Sequence, residues 1–184
     1  MSRLASRGQL RASFIRWALL CIPAVVLLGL LSGAASGNGD GNPWFASLDK
    51  PALYPPPILF PIAWTVLYVL MGLALALVCN AWGARGRTAA IFAFVVQFAL
   101  NLAWSPLFFA AHQITAALIL IVAMGIAIVA TMVLFWRVRR AAAVLLVPYL
   151  AWVCFASVLN YQILALNPQA DGASSSGAAQ RIAI

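Results

Sequence analysis

The chain has 184 residues, 65% of them hydrophobic and 8% charged, with a mean hydropathy of +1.02. This composition excludes a soluble globular domain, and uncharged apolar stretches leave no room for a soluble catalytic, nucleotide-binding or metal-binding module. The net charge of +8 could suggest nucleic acid, but the placement of the charges follows membrane topology, so no nucleic-acid partner is expected.

A hydrocarbon core about 30 Å thick needs about 20 apolar residues per helix. Runs at 17–35, 60–82, 88–111, 114–136 and 141–166 meet that length. They predict an all-α integral membrane protein, a bundle of five transmembrane helices within a domain spanning 17–166. Residues 1–16 form a basic tail containing Arg3, Arg7, Arg11 and Arg16. With the apolar run to Leu31 and the small residues Ser32, Gly33 and Ala34, this tail also fits a cleaved signal peptide. The run reaches Ala35, just far enough to cross a bilayer, and is therefore read as a retained first span.

The connection 36–59 begins as a polar turn region and continues as Trp44-Phe45-Ala46-Ser47-Leu48. That spacing predicts a short amphipathic piece with Trp44 and Leu48 on one side. Pro55, Pro56 and Pro57 then stiffen the chain, and Pro61 helps to open the second helix. An ordered cover over the bundle is expected from this aromatic, proline-rich composition. Arg85 and Arg87 separate spans two and three, and Arg137, Arg139 and Arg140 separate spans four and five. Nine of the eleven basic residues thus fall on one face, while Lys50, Arg181, Asp40, Asp49 and Asp171 fall on the other. The positive-inside rule places the N-terminus in the cytoplasm and the C-terminus outside. A minimal turn at His112-Gln113 forces spans three and four into an antiparallel hairpin, and residues 167–184 are expected to be a disordered tail.

No Asp, Glu, Lys, Arg or His occurs in the five apolar cores. Proton-coupled pumps and voltage sensors need such groups at depth, and a hydrolase needs a base beside its nucleophile; acid–base catalysis is excluded. Cys21, Cys79 and Cys154 lie in different spans without a CxxC, and one histidine is present, so neither a disulfide framework nor a metal site is expected. Trp17, Trp82 and Trp136 lie near span ends as interfacial anchors. Gly29, Gly33 and Gly37 form a small-residue ladder suited to helix packing or a dimer face.

Aromatic and neutral polar residues recur at helical spacing. Phe60, Trp64, Tyr68 and Gly72 share a face of span two; Gln97, Asn101, Trp104 and Phe108 share one on span three; Tyr149, Trp152, Ala156 and Asn160 share one on span five. Such stripes serve packing and interhelical hydrogen bonds. If the three faces converge, they enclose an aromatic-walled cavity for a flat, largely apolar ligand.

These residues carry a resemblance. Trp44-Phe45, Leu48 and Lys50-Pro51 resemble the W-Y/F-x-x-L-x-K-P loop of the TspO/MBR family, the tryptophan-rich sensory or translocator proteins. Pro55-Pro56, Phe60-Pro61, Trp64-Thr65, Leu67-Tyr68 and Met71-Gly72 follow its second-helix signature. Gln97, Asn101, Trp104, Pro106 and Phe108-Phe109 match the third, and 147–152 with Leu159-Asn160-Tyr161 match the last. The resemblance covers about residues 29–168. It implies a five-helix bundle, often a homodimer, whose first long loop closes a cavity for porphyrins and other hydrophobic small molecules.

Carried over by position, the resemblance implies ligand contacts from Trp44, Phe45, Phe60, Trp64, Tyr68, Asn101, Trp104, Trp152, Ala156 and Asn160. Protoporphyrin IX or haem is then the expected ligand, with no permanently bound cofactor, and a bacterial inner membrane the expected location. Regulation of tetrapyrrole handling under oxygen or stress is the implied role, with porphyrin transport as an alternative. Light-dependent porphyrin breakdown, as in some bacterial members, would use Trp44, Trp64 and Trp152 as redox participants. Leu53 and Ile58 replace aromatics usual in the family, which is expected to remove two stacking platforms. Tyr161 is not followed by Lys or Arg within five residues, so the cholesterol motif proposed for animal members is incomplete.

Overall fold

The computed structural model describes residues 7–39 and 41–172. Arg3, Asp40, Arg181 and the serine-rich stretch of the tail lie outside the described residues. Among the described residues seven α-helices follow one another: α1 (Arg7–Ala35), α2 (Pro43–Ser47), α3 (Leu59–Cys79), α4 (Arg87–Ser105), α5 (Ile114–Val138), α6 (Arg140–Val144) and α7 (Val147–Leu166). No strand occurs among the described residues. Five stretches of the described residues are long and apolar enough to cross a membrane, at Gly8–Ala35, Leu59–Cys79, Arg87–Ala110, Ile114–Val138 and Arg140–Leu166. The protein is therefore an integral membrane five-helix bundle.

Several boundaries depart from the apolar runs, each for a local reason. Helix α1 starts at Arg7, so residues 7–16 belong to the helix instead of a separate tail; nothing in Gly8 to Arg16 breaks a helix that the apolar run then continues. At the other end Gly37, at φ 63°, closes α1 with a Schellman arrangement. The Asn38 amide bonds to the Gly33 carbonyl and the Gly37 amide to that of Ala34, both at 3.2 Å. The fifth span is broken into α6 and α7 around Leu145 and Leu146, because Pro148 has no N–H and its ring crowds the carbonyl of Val144. Pro106 acts similarly in the third span, where α4 passes into a π-helical turn at Pro106–Ala110. The tail beginning at Asn167 is also structured at first: Pro168–Ala170 forms a 3₁₀ turn, and Gly172 donates to the His112 carbonyl at 2.8 Å. The expected disorder therefore does not hold for residues 167–172, where side-chain caps on neighbouring elements anchor the chain.

Within lipid, helices gain little from hydrophobic burial against one another, and close packing must hold them. Gly72 supplies it between α3 and α1: a Cβ there would stand 2.6 Å from the Ile22 Cα. Gly29 is set under the Tyr68 ring, 2.3 Å from where its Cβ would be. The small-residue ladder of α1 is thus occupied by the protein's own side chains, and Gly72 serves helix packing instead of opening the ligand-facing stripe. The broad outer surface, including Leu19, Phe92, Ile119 and Ile126 at 66–71% exposure, suits contact with lipid tails.

The two ends differ in chemistry. At one, Arg87 caps α3 by donating from its Nε (3.1 Å) and a terminal nitrogen (2.8 Å) to the Cys79 carbonyl. Its guanidinium lies 4.5 Å from the Trp82 ring centroid, and Trp82 approaches Trp17 at 6.1 Å. Cys21 and Cys79 are buried here as free thiols, whereas Cys154 is exposed on the outer surface. The opposite end carries the 36–59 connection, folded down over the helices.

Candidate functional site

The three stripes converge. Between α1, α3, α4, α5 and α7, beneath the long connection, lies a cavity of about 550 Å³, a volume within the range that holds drug-sized molecules. Phe60, Trp64 and Tyr68 reach it from α3, Asn101 and Trp104 from α4, and Trp152, Ala156 and Asn160 from α7. Phe45 closes it from the loop. Nine of the ten residues singled out in the sequence therefore line one space.

Trp44 is the exception, because helix α2 turns its other side inward. Phe45 and Leu48 are the buried residues, at 4% and 6% exposure, correcting the expected pairing of Trp44 with Leu48. Trp44 instead stacks on His112, with centroids 4.3 Å apart and planes at 19°, and meets Phe108 edge-on at 5.6 Å. Leu53 and Ile58 are 58% and 64% exposed and lie outside the cavity lining, so their replacement of family aromatics strips nothing from the wall. Tyr54 does line it, tilted against Phe60 at 5.3 Å.

The wall is built from mutually braced rings. Trp64 stacks on Tyr68 at 5.3 Å, Phe60 meets Trp152 edge-on at 5.9 Å, and Trp104 stacks on Phe108 at 5.1 Å. Phe108 and Phe109 both line the cavity from the π-helical turn, in which the Ala111 amide reaches back five residues to Pro106 at 2.9 Å. Such turns redirect side chains relative to an ideal helix. Helical periodicity missed Phe109 for that reason. It also missed Ile121 and Met124, cavity residues of α5 that nothing in an all-apolar helix distinguishes from packing.

A hydrogen-bonded chain forms the floor. Tyr68 Oη donates to Asn101 Oδ1 at 3.2 Å, Asn101 Nδ2 donates to Tyr149 Oη at 3.1 Å, and Tyr149 Oη donates to Gln97 Oε1 at 3.1 Å. Four polar side chains on three helices are thereby linked in an apolar interior, which fixes their rotamers, while Gln97 Nε2 is buried without a protein partner. Asn160 Nδ2 donates to the Ile114 carbonyl at 3.1 Å. The Nε1 atoms of Trp104 and Trp152 and the Oδ1 of Asn160 are buried with no protein partner, leaving two donors and one acceptor among the lining residues.

The cover is fastened at several points. Asn42 caps α2 by accepting from the Phe45 amide at 3.2 Å and donates to the Phe109 carbonyl at 3.1 Å. Lys50 donates to the carbonyls of Phe45 and Leu48 and lies 4.3 Å from the Phe45 ring centroid. Asn167 makes a reciprocal pair with Asp49: its Oδ1 accepts from the Asp49 amide at 2.8 Å and its Nδ2 donates to the Asp49 carbonyl at 3.0 Å. Asp171 accepts from the Thr115 amide at 3.1 Å and from its hydroxyl at 2.5 Å. Burial of Phe45 and Leu48 adds about 1.5–3 kcal/mol each where this end of the bundle meets water.

Among the described residues no cluster of metal-ligating side chains occurs. Fold and site together define a small membrane protein with a lidded, aromatic-walled cavity at one end of a helical bundle. Comparison with known proteins gives that architecture its family. The TspO/MBR family model matches residues 21–166, and the chain belongs to that family. It is 42% identical to the tryptophan-rich protein TspO of Chlorobaculum tepidum, over 81% of this chain and 94% of that one. It is similar to the protein CrtK of Rhodobacter capsulatus (36% identity, 74% and 86% covered) and to the human translocator protein (38%, 73% and 80%).

Proposed function

We propose that the protein binds porphyrins and similar flat hydrophobic molecules in the lidded cavity and regulates tetrapyrrole handling from the membrane. The observation that carries this reading is the convergence of Phe60, Trp64, Trp104 and Trp152 on one enclosed space. Indole and phenyl faces offer an extended conjugated ring dispersion and offset stacking. Family membership supports the same reading. Neither imidazole nor thiol occurs among the lining residues, and their one sulfur is the Met124 thioether; protoporphyrin IX or haem would be held chiefly through its ring faces. The arginine distribution supports an N-terminus on the cytoplasmic side, in a membrane we take to be a bacterial inner membrane.

The test is quenching of tryptophan fluorescence in the detergent-solubilised protein by protoporphyrin IX, with Trp64→Phe and Trp152→Phe as controls. Saturable quenching with a Kd in the micromolar range, weakened in both variants, is expected. Absence of saturable quenching would overturn the ligand assignment. Repeating the titration under illumination separates binding from breakdown: loss of the Soret band dependent on Trp64 or Trp152 would turn the receptor into an enzyme.

A further inference from the structure

We propose that a second site, on the lipid-facing surface at the arginine-rich end, holds one anionic phospholipid. A groove of about 360 Å³ runs between α5 and the broken fifth span. Its α5 wall is Val129, Met132, Val133 and Trp136, which repeat at three and four residues and so share one helix face. The other wall is the α6–α7 junction interrupted by Pro148, lined by Ala143, Val144, Val147 and Leu150. From Val129 to Trp136 the groove extends about 10 Å along α5, enough to seat the upper part of an acyl chain. This groove is separate from the lidded cavity and has no lining residue in common with it.

Charge identifies the occupant. Arg137 lines the groove, Arg140 places its guanidinium 5.4 Å from the Trp136 centroid, and Arg139, between them in sequence, is exposed. The described acids cannot neutralise this cluster: Asp171 caps the start of α5 at Thr115, the far end of a 25-residue helix about 37 Å long. Asp49 is at that same far end, paired with Asn167. Two guanidiniums at an apolar groove, Arg137 in its lining and Arg140 on its Trp136 wall, match a phosphate-bearing headgroup whose acyl chain continues into the bilayer. A second copy of this chain is disfavoured as occupant, since symmetric pairing of the patch would oppose its arginines.

Native mass spectrometry of the detergent-released full chain, titrated with dioleoyl phosphatidylglycerol or dioleoyl phosphatidylcholine, tests the site. One phosphatidylglycerol is expected to bind at least tenfold more tightly than phosphatidylcholine. The double variant Arg137→Gln/Arg140→Gln should reduce that preference to about twofold. Val144→Trp, which fills the groove from an exposed position, should abolish the tight single adduct. Helix content by circular dichroism is expected to be unchanged in both and serves as the folding control. Equal affinity for the two lipids, or a tenfold preference retained in both folded variants, would overturn the proposal.

Discussion

Ser32 Oγ donates to the Leu102 carbonyl at 2.6 Å, tying α1 to α4 at the carbonyl that Pro106, four residues on and without an N–H, cannot serve. The proline that reshapes α4 and turns Phe108 and Phe109 toward the cavity thus acquires a compensating donor from another helix. Ser32→Ala removes it and should cost about 0.6–2 kcal/mol, the range of interhelical hydrogen bonds in membranes. A lowered thermal midpoint in detergent, restored by Ser32→Thr, is the expected result.

The reciprocal pair between Asn167 and Asp49 is the second relationship with a consequence. Asn167→Ala deletes two hydrogen bonds to the lid backbone, each worth about 0.5–1.5 kcal/mol, while Phe45 and Leu48 keep their apolar contacts. The lid should open more often without detaching. Stopped-flow measurement of porphyrin release should show a rate raised about tenfold, with helix content unchanged.

Gly29 and Gly72 separate cavity effects from packing effects. At Gly29 a methyl would first meet the Tyr68 ring, so Gly29→Ala should push that ring and weaken porphyrin binding with modest loss of stability. At Gly72 the obstacle is the backbone of α1 at Ile22, so Gly72→Val should cost about 1–3 kcal/mol through overpacking. Thermal melts paired with quenching titrations distinguish the two variants.

The lid contributes the rings of Phe45 and Tyr54 and withholds that of Trp44, which stacks on His112. Tyr54→Ala should weaken protoporphyrin binding by about 1 kcal/mol, within the range for aromatic contacts beyond area burial. Leu53→Trp, at an exposed position, should leave affinity unchanged; a gain in quenching would show that residue 53 reaches the ligand. Trp152→Ala should cost about 1–3 kcal/mol if stacking energies measured on nucleobases carry over to porphyrin.

Composition and helical periodicity by themselves determined the membrane setting, the five spans and the three stripes of Phe60-Trp64-Tyr68, Asn101-Trp104 and Trp152-Ala156-Asn160. The physical reason is that apolar length and a 3.6-residue repeat are local properties of the chain. Tertiary structure decided what is not local. It chose Phe45 over Trp44 as the inward ring, because a five-residue helix can settle on either face and docking against Phe108 and Phe109 selects one. It exposed Leu53 and Ile58, brought in Met124 from a helix with no distinguishing pattern, and extended order to Asp171 through contacts with elements more than fifty residues away in sequence. Breaks at Pro106 and Pro148 could be anticipated from proline chemistry. Where the chain turns after each break depends on the neighbouring helices that receive it.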